Sequence, residues 1–275
     1  MQSSTRRDLK HDRFAEAVVQ GTVENRAALM RIAILVCVVL AAVIGGWLYL
    51  DSRNDAANTE LGAALHTYQA PLRAPGTPAT PEAESYTSAK ERATAAHKKF
   101  DQIANDFSLT RTGKMARYLS GVTAIDAGDT ASGENDLKTA ASFWNKDVSS
   151  LAHYALASYY RDNKKDTNAI DQYQEVIKAD SSSVPRSEAQ LDLASLYEDE
   201  KKPTEAIKIY EEVQKEGSTQ PETPKVDPKS LKPGEKTPAA PEPVLSAAAD
   251  MAKAKIEQLK KEAGAVKKDA APTQK

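Results

Sequence analysis

Residues 156–180 read LASYYRDNKKDTNAIDQYQEVIKAD, and residues 193–217 read LASLYEDEKKPTEAIKIYEEVQKEG. The two stretches align without a gap at an offset of 37 residues. Small and large side chains recur at the same spacing in both, so self-similarity decides the fold. The matching positions are Ala157, Tyr160, Ala169, Tyr173 and Val176 in the first copy and Ala194, Tyr197, Ala206, Tyr210 and Val213 in the second.

This spacing is typical of the tetratricopeptide repeat (TPR), a helix–turn–helix unit of about 34 residues. Small side chains at Ala157 and Ala169 let the first helix of a repeat (A) approach the second (B) closely. Pro203 suits the first turn of a B helix, where the missing N–H has no intrahelical acceptor. The three additional residues fall in a loop at 181–183. A generic helical bundle is the alternative interpretation.

Two more copies are degenerate. The nearer one carries small or apolar residues 36 positions before the first clear copy, at Gly121, Ala124, Gly133 and Leu137. A still earlier B helix is indicated by Ala96, Phe100 and Ile103, and its A helix by Leu61, Gly62 and Leu65. We therefore predict an all-α chain with a TPR-like α-solenoid of about four helix pairs in residues 51–217.

Proline-rich segments interrupt and follow this array. Residues 71–82 are predicted to be an insertion in the TPR-like domain, and residues 218–243 a disordered loop, because closely spaced prolines cannot join a packed helical core. Residues 244–262 resume a helical pattern, with a stripe at Val244, Ala248, Met251, Lys255, Ile256 and Leu259. We expect them to form a helix that caps the open end of the solenoid. Residues 263–275 are predicted to be a disordered tail.

Residues 32–50, IAILVCVVLAAVIGGWLYL, contain no charged side chain. As a helix they reach about 28 Å, close to the thickness of the bilayer hydrocarbon, and Trp47 and Tyr49 fall where interfacial aromatics are favoured. We predict a transmembrane helix. Arg53 is the one cation in the twenty residues after it, whereas six cations precede it, at Arg6, Arg7, Lys10, Arg13, Arg26 and Arg31. Residues 1–31 should therefore be cytoplasmic and the repeats non-cytoplasmic.

Three alternatives compete with a transmembrane helix for the apolar segment. A cleaved signal peptide would end near Val43-Ile44-Gly45, but more than thirty residues precede the apolar stretch. A lipoprotein signal needs a small residue where Val36 precedes Cys37. A buried core helix would carry a polar face, which this segment lacks. An uncleaved anchor remains the prediction.

The composition argues against several functions. A net charge of −2 provides no basic footprint for nucleic acid. Cys37 has no cysteine partner, and His11, His66, His97 and His153 lack zinc-ligand spacing. No phosphate loop, nucleophile elbow or Cys–His pairing is found in the sequence. We predict a protein without catalytic residues, metal, cofactor or small-molecule substrate.

Stacked helix pairs offer a concave groove lined mainly by A helices, suited to an extended peptide or a partner helix. Repeat positions predict which side chains line it. They are Met115, Tyr118, Val122 and Ile125 in the second repeat, Tyr154, Ser158 and Arg161 in the third, and Leu191, Ser195 and Glu198 in the fourth.

The anchor region VENRAALMRIAILVCVVLAAVIGGWLYLDSRN, residues 23–54, resembles that of the bacterial ancillary SecYEG translocon subunit family (YfgM-like). The residues that carry the likeness are Glu24, Asn25, Leu29, Gly46, Trp47, Tyr49 and Ser52. The resemblance covers residues 20–216. It implies a single-pass inner-membrane protein with periplasmic TPRs, associated with the SecYEG translocon, periplasmic chaperones or client polypeptides. The charged N-terminus and the proline-rich insertions depart from the family pattern.

Two functional hypotheses follow. The first is a translocon-associated adaptor that holds newly translocated chains or a chaperone near the membrane. The second is a cell-envelope scaffold for division, secretion or outer-membrane assembly, which needs the same fold and other partners.

Overall fold

A computed structural model describes residues 26–74, 76–77, 84–219 and 244–269. Nearly all of the predicted cytoplasmic segment 1–31 lies outside these residues, as do parts of the first proline-rich insertion and residues 220–243 of the second. The chain divides into two compact units, Met1–Thr59 and Glu60–Lys275.

The N-terminal unit contains most of helix α1, Arg26–Gln69. From Met30 onward this helix is long and apolar enough to span a membrane, with a mean hydropathy of 2.6 over its most apolar stretch and none of that stretch buried. Large side chains such as Ile34, Val38 and Trp47 are each more than 60% exposed. The predicted segment 32–50 lies inside this helix; the side of the membrane on which each end lies stays a prediction.

Eight further helices follow among the described residues, and the predicted all-α class is confirmed. Consecutive helices pack against each other from α2 to α9. Their bounds are α2 Ala89–Asp106, α3 Arg111–Asp126, α4 Thr130–Ala141, α5 Lys146–Asp162, α6 Asp166–Ala179, α7 Arg186–Asp199, α8 Pro203–Glu216 and α9 Ala247–Asp269.

The helices form antiparallel pairs with the predicted register. The pairs α3–α4, α5–α6 and α7–α8 are A and B helices of three repeats. In the first pair, the C-terminal end of α1 meets α2, and the ring of Tyr68 packs edge-on against Phe100 with centroids 6.5 Å apart. Of the ten repeat-defining residues in the two clear copies, nine are buried, and Tyr197 is half-buried.

The turn between the A and B helices has one backbone conformation in all three repeats. Gly128, Lys164 and Lys201 occupy equivalent positions and have φ values of 86°, 59° and 58°. This left-handed region costs a side chain about 1–2 kcal/mol but costs glycine little. The degenerate repeat therefore keeps the residue that the turn favours, although its packing positions have drifted. Pro203 is at the first position of α8, as predicted.

Glycines permit a close helix approach in the α3–α4 pair. A Cβ added to Gly133 would lie 2.8 Å from the carbonyl oxygen of Gly121. A Cβ added to Gly121 would lie 2.7 Å from Cγ of Leu137. Gly121 and Gly133 are the equivalents of Ala157 and Ala169, so the small positions in the repeat mark the points where the two helices touch.

The C-terminal helix differs from its prediction at both ends. It begins at Ala247 rather than 244, because Val244–Leu245 (β2) pairs antiparallel with Ser218–Thr219 (β1). The ends of the predicted loop 218–243 are thus held together. The helix continues to Asp269, beyond residue 262, because Ala and Lys favour helix there and one glycine, at 264, costs only about 1 kcal/mol. Residues 270–275 of the predicted disordered tail lie outside the described residues, and their disorder stays a prediction.

This helix covers the open end of the array by packing on α8 and α7. The side chains that it buries are Ala249, Ala252, Ile256 and Leu259, spaced three and four residues apart. The sequence predicts Met251 in the same stripe, but its side chain is 56% exposed. The apolar stripe is therefore rotated towards smaller residues than the sequence suggested.

We predict that Gly133→Ala lowers the free energy of unfolding by about 1–3 kcal/mol, because the added methyl group overpacks the contact with Gly121. Gly62→Ala is the matched control, since an added Cβ there meets nothing within 4 Å. It should leave stability unchanged or raise it by about 0.5–1 kcal/mol. Urea unfolding of the detergent-solubilised chain, followed by far-UV circular dichroism, measures both; equal effects would contradict the packing assignment.

A candidate protein-binding groove

The A helices α3, α5 and α7 form a row, and α9 extends it in the position of a further A helix. Packing of α3 on α5 and of α9 on α7 links neighbours in the row. Polar side chains bridge α5 to α7: Arg161 donates to Ser195 at 2.9 Å and to Asp199 at 2.6 Å. This row is the surface on which the sequence predicts a groove.

All ten predicted groove residues are half-buried; none is fully buried and none is fully exposed. The members on α3, together with Tyr154, pack against the main hydrophobic core, and Leu191 packs against the C-terminal core. Each apolar member therefore supports the fold with one side and presents the other to solvent. Their role in binding stays a prediction.

A pocket of about 420 Å³ lies between α7, α8 and α9. Its volume falls within the range of ligand and side-chain binding sites, about 300–1,000 Å³. Two predicted groove residues, Leu191 and Ser195, line it. The other lining residues are Asp192, Tyr210, Met251, Ala254, Lys255 and Gln258.

Half of the pocket wall comes from α9, which sequence reasoning treated only as a cap. Met251 lies three and four residues before Ala254 and Lys255, and Gln258 lies three and four residues after Lys255 and Ala254. The four residues therefore share one helix face beside the buried stripe. The same periodicity is visible in the sequence. The sequence pattern alone does not assign this face to the groove. The assignment requires the structure, in which α9 occupies the position of the next A helix and this face lines the pocket.

Glu198 bonds to two of the residues that line the pocket. It accepts hydrogen bonds from the phenol of Tyr210 at 2.5 Å and from the ammonium of Lys255 at 3.1 Å. These two bonds connect α7, α8 and α9 beside the apolar contacts of the C-terminal core. Burial, together with the bond to Glu198, raises the pKa of the Tyr210 phenol, so the phenol stays protonated and keeps donating at neutral pH.

A second phenol fixes the preceding helix in the row. Tyr154 of α5 donates to Asp192 and, at 3.3 Å, to Glu188 of α7. Burial first, and the bond to Asp192 second, raise the pKa of the Tyr154 phenol. Arg161, Tyr154 and Glu198 are thus occupied within the array. Partner contact at the groove falls mainly to Leu191, Ser195 and the α9 residues of the pocket.

The charged side chains Arg161 and Glu198 hold neighbouring helices of the site together. Within residues 26–74, 84–219 and 244–269, no three His, Cys, Asp or Glu side chains are grouped to hold a metal ion. The pocket wall combines the apolar side chains of Leu191, Met251 and Ala254 with the uncharged polar groups of Ser195 and Gln258. Its two charged lining residues, Asp192 and Lys255, are already bonded to Tyr154 and Glu198. Such a surface suits an apolar side chain of a bound polypeptide and its adjacent backbone.

Comparison with known proteins agrees with the architecture. The tetratricopeptide repeat family matches residues 118–184 and, in a second overlapping window, residues 154–221. These windows cover the repeats from α3 to α8. No curated protein and no solved structure shows significant similarity to the chain. The chain thus contains TPR repeats, which indicate an adaptor for protein–protein interaction and are typical of non-catalytic scaffolds.

We predict that Glu198→Ala loosens α9. The hydroxyl of Tyr210, on a residue only 2% exposed, loses its acceptor, which costs about 1–3 kcal/mol. Amide hydrogen exchange measured by mass spectrometry should become faster in α9 and β2 than in α3–α6.

Glu211→Ala is the control, because Glu211 also pairs with a lysine of α9, Lys260 at 3.4 Å, and both side chains are more than half exposed. It should cost less than about 1 kcal/mol. Equal acceleration in the two variants would show that Glu198 has no special part in docking α9.

Proposed function

We propose that this chain is a single-pass adaptor of the bacterial inner membrane, with its TPR-like domain in the periplasm. It binds newly translocated polypeptides or periplasmic chaperones beside the Sec translocon. The observation that carries this proposal is the direct connection of an exposed apolar helix, suited to span a bilayer, to a protein-binding repeat array. Residues 32–50 are the anchor, and residues 1–31 are cytoplasmic.

The assignment to the translocon rests on the anchor. Residues 23–54 resemble the anchor of ancillary SecYEG subunits, at Glu24 and Asn25 before the apolar stretch and at Trp47 and Ser52 near its end. The cation asymmetry supports the direction of insertion. An adaptor at this site would meet chains as they emerge, before they fold, when apolar side chains are still exposed.

The groove supports binding of unfolded or helical segments. Met251 is flexible and 56% exposed, so it can adapt to side chains of different shape. Leu191 forms the opposite apolar wall, and Ser195 offers a hydroxyl for a bound backbone. We assign the ten predicted groove residues to one continuous binding surface that ends in the α7–α9 pocket. Adaptable walls favour a range of clients over one fixed ligand.

Site-specific photocrosslinking in living cells tests this proposal. A photoreactive amino acid at Ser195 or Met251 should capture Sec components, periplasmic chaperones or exported precursors. The control positions are Gln174 and Glu212, which are exposed on the B helices α6 and α8. They should give at least about fivefold less of the same products, because interface energy is concentrated in a few well-packed positions.

Three outcomes are distinguishable in this experiment. Sec components or export clients captured at the groove positions support the adaptor. Divisome or outer-membrane assembly proteins captured there would replace it with the envelope-scaffold hypothesis. Equal capture at groove and control positions would overturn the assignment of the binding surface, whatever the identity of the partner.

A further inference from the structure

Two loops at one edge of the repeat unit expose large apolar side chains. Trp144, in the loop 142–145 between α4 and α5, is 97% exposed, and Leu109, in the loop 107–110 between α2 and α3, is 77% exposed. Both loops join the B helix of one repeat to the A helix of the next. An indole held almost entirely in solvent adds no burial to the fold and is open to contact with a surface outside the chain, where tryptophan is enriched.

The contacts place these inter-repeat loops at the edge where the A helices begin. The ammonium of Lys114, in the first turn of α3, lies 5.8 Å from the centroid of the Phe143 ring in the loop 142–145. In the next repeat, Ser182 donates to Asp147 at the start of α5, at 3.0 Å. Each inter-repeat loop thus lies beside the N-terminal end of the preceding A helix.

The chain enters the repeat unit from this same edge. Arg92 of α2 donates to the carbonyl of Ala70, and Phe100, further along α2, packs against Tyr68. Residues later in α1 therefore meet residues earlier in α2, so the two helices run antiparallel. Because α2 ends at the loop 107–110, the chain enters the repeat unit, at Glu60, on the edge that carries that loop.

A short tether limits how far this edge can lie from a bilayer. Residue 50 ends the apolar segment, and Glu60 begins the repeat unit. Ten residues reach at most about 35 Å even when fully extended. If residues 32–50 span the membrane, the edge with the exposed loops is within reach of the surface where the apolar segment ends.

Side-chain chemistry around the loops fits a phospholipid surface. Arg111 and Lys146 are exposed and Lys114 is half-buried, against the acidic Asp106 and Asp147. Tryptophan and basic side chains are the residues that favour the headgroup region. The third inter-repeat loop, farther along the chain from the anchor, has serines at 181–183 in place of aromatic residues. The apolar tips are therefore confined to the two loops nearest the anchor in the repeat order.

We propose that the loops 107–110 and 142–145 form a membrane-contact edge. Trp144 and Leu109 enter the headgroup region of the bilayer that anchors the chain, while Arg111, Lys114 and Lys146 contact lipid phosphates. This inference rests on the proposed insertion of residues 32–50. With this edge on the lipid, the A helices begin at the bilayer surface and the turns at Gly128, Lys164 and Lys201 point away from it.

Fluorescence of the full chain in proteoliposomes tests this edge. The chain has two tryptophans, so Trp47→Phe leaves Trp144 as the one tryptophan. Phospholipids brominated near the headgroup end of the acyl chain should lower Trp144 emission by at least about half, because an interfacial ring lies about 5–10 Å into the boundary region. Lys146→Glu should weaken this quenching in vesicles that contain anionic lipid and leave it unchanged in zwitterionic vesicles.

A matched control moves the reporter to the opposite edge. In a chain with Trp47→Phe and Trp144→Ala, the substitution Asp162→Trp places an exposed indole at the last residue of α5. Brominated lipid should leave its emission unchanged. Alkaline carbonate extraction, run on the same vesicles, reports whether residues 32–50 are inserted at all.

The readouts separate the two proposals. Release of the chain by carbonate would contradict the proposed anchor. Retention of the chain, with Trp144 quenched by aqueous iodide and unaffected by brominated lipid, would overturn the membrane-contact edge and leave the anchor standing. Shielding of Trp144 from iodide only after native membrane proteins are added would also overturn it, and would identify the loops as a protein-docking site.

Discussion

The structure depends on how closely the two helices of each repeat approach. Ala157 and Ala169, and their counterparts Ala194 and Ala206, are completely buried at this contact. In the more divergent repeat the same positions are glycines, and an added methyl group at Gly133 would press on backbone. Close packing of this kind leaves little freedom in the relative position of A and B helices, because an interior responds to a volume change of even one methylene.

The binding surface and the loop edge both follow from this contact. A and B helices alternate along the chain and run antiparallel, so successive A helices run parallel to one another. Hydrogen bonds from Tyr154 and Arg161 on α5 to α7 hold two neighbouring A helices together. A parallel row creates a continuous groove on one face. It also gathers the inter-repeat loops at the edge where the chain enters the repeat unit at Glu60. Groove and loop edge are therefore two results of one packing rule.

Sequence reasoning was strongest where local spacing and packing agree. The offset of 37 between the two clear copies predicted the helix pairs, the position of Pro203 and the small residues at the helix contacts, because each depends on a few residues in fixed order. The family match to residues 118–221 supports the same repeats. The apolar helix was equally visible, since nineteen uncharged residues leave few other structures open.

The rest depends on contacts between segments distant in sequence. The C-terminal helix begins at Ala247 because Val244–Leu245 pairs with Ser218–Thr219 across a long connection, which no periodicity reveals. Its contribution to the pocket depends on how it is rotated on α7 and α8. The sequence predicts that the large apolar Met251 is buried, whereas the structure buries the smaller Ala249 and Ala252. Glu198 was predicted as a groove residue, but its bonds to Tyr210 and Lys255 show that it also joins three helices.

Every functional role assigned to the groove requires the repeats to lie on the outer side of the membrane. Cysteine accessibility tests that requirement directly, because Cys37 is the one native cysteine and can be replaced by alanine. A cysteine is then introduced at Gln174, exposed on α6, and spheroplasts are treated with a membrane-impermeant maleimide. We expect full labelling of Gln174→Cys in intact spheroplasts, with no increase after lysis. Labelling only after lysis would place the repeats in the cytoplasm and contradict the account.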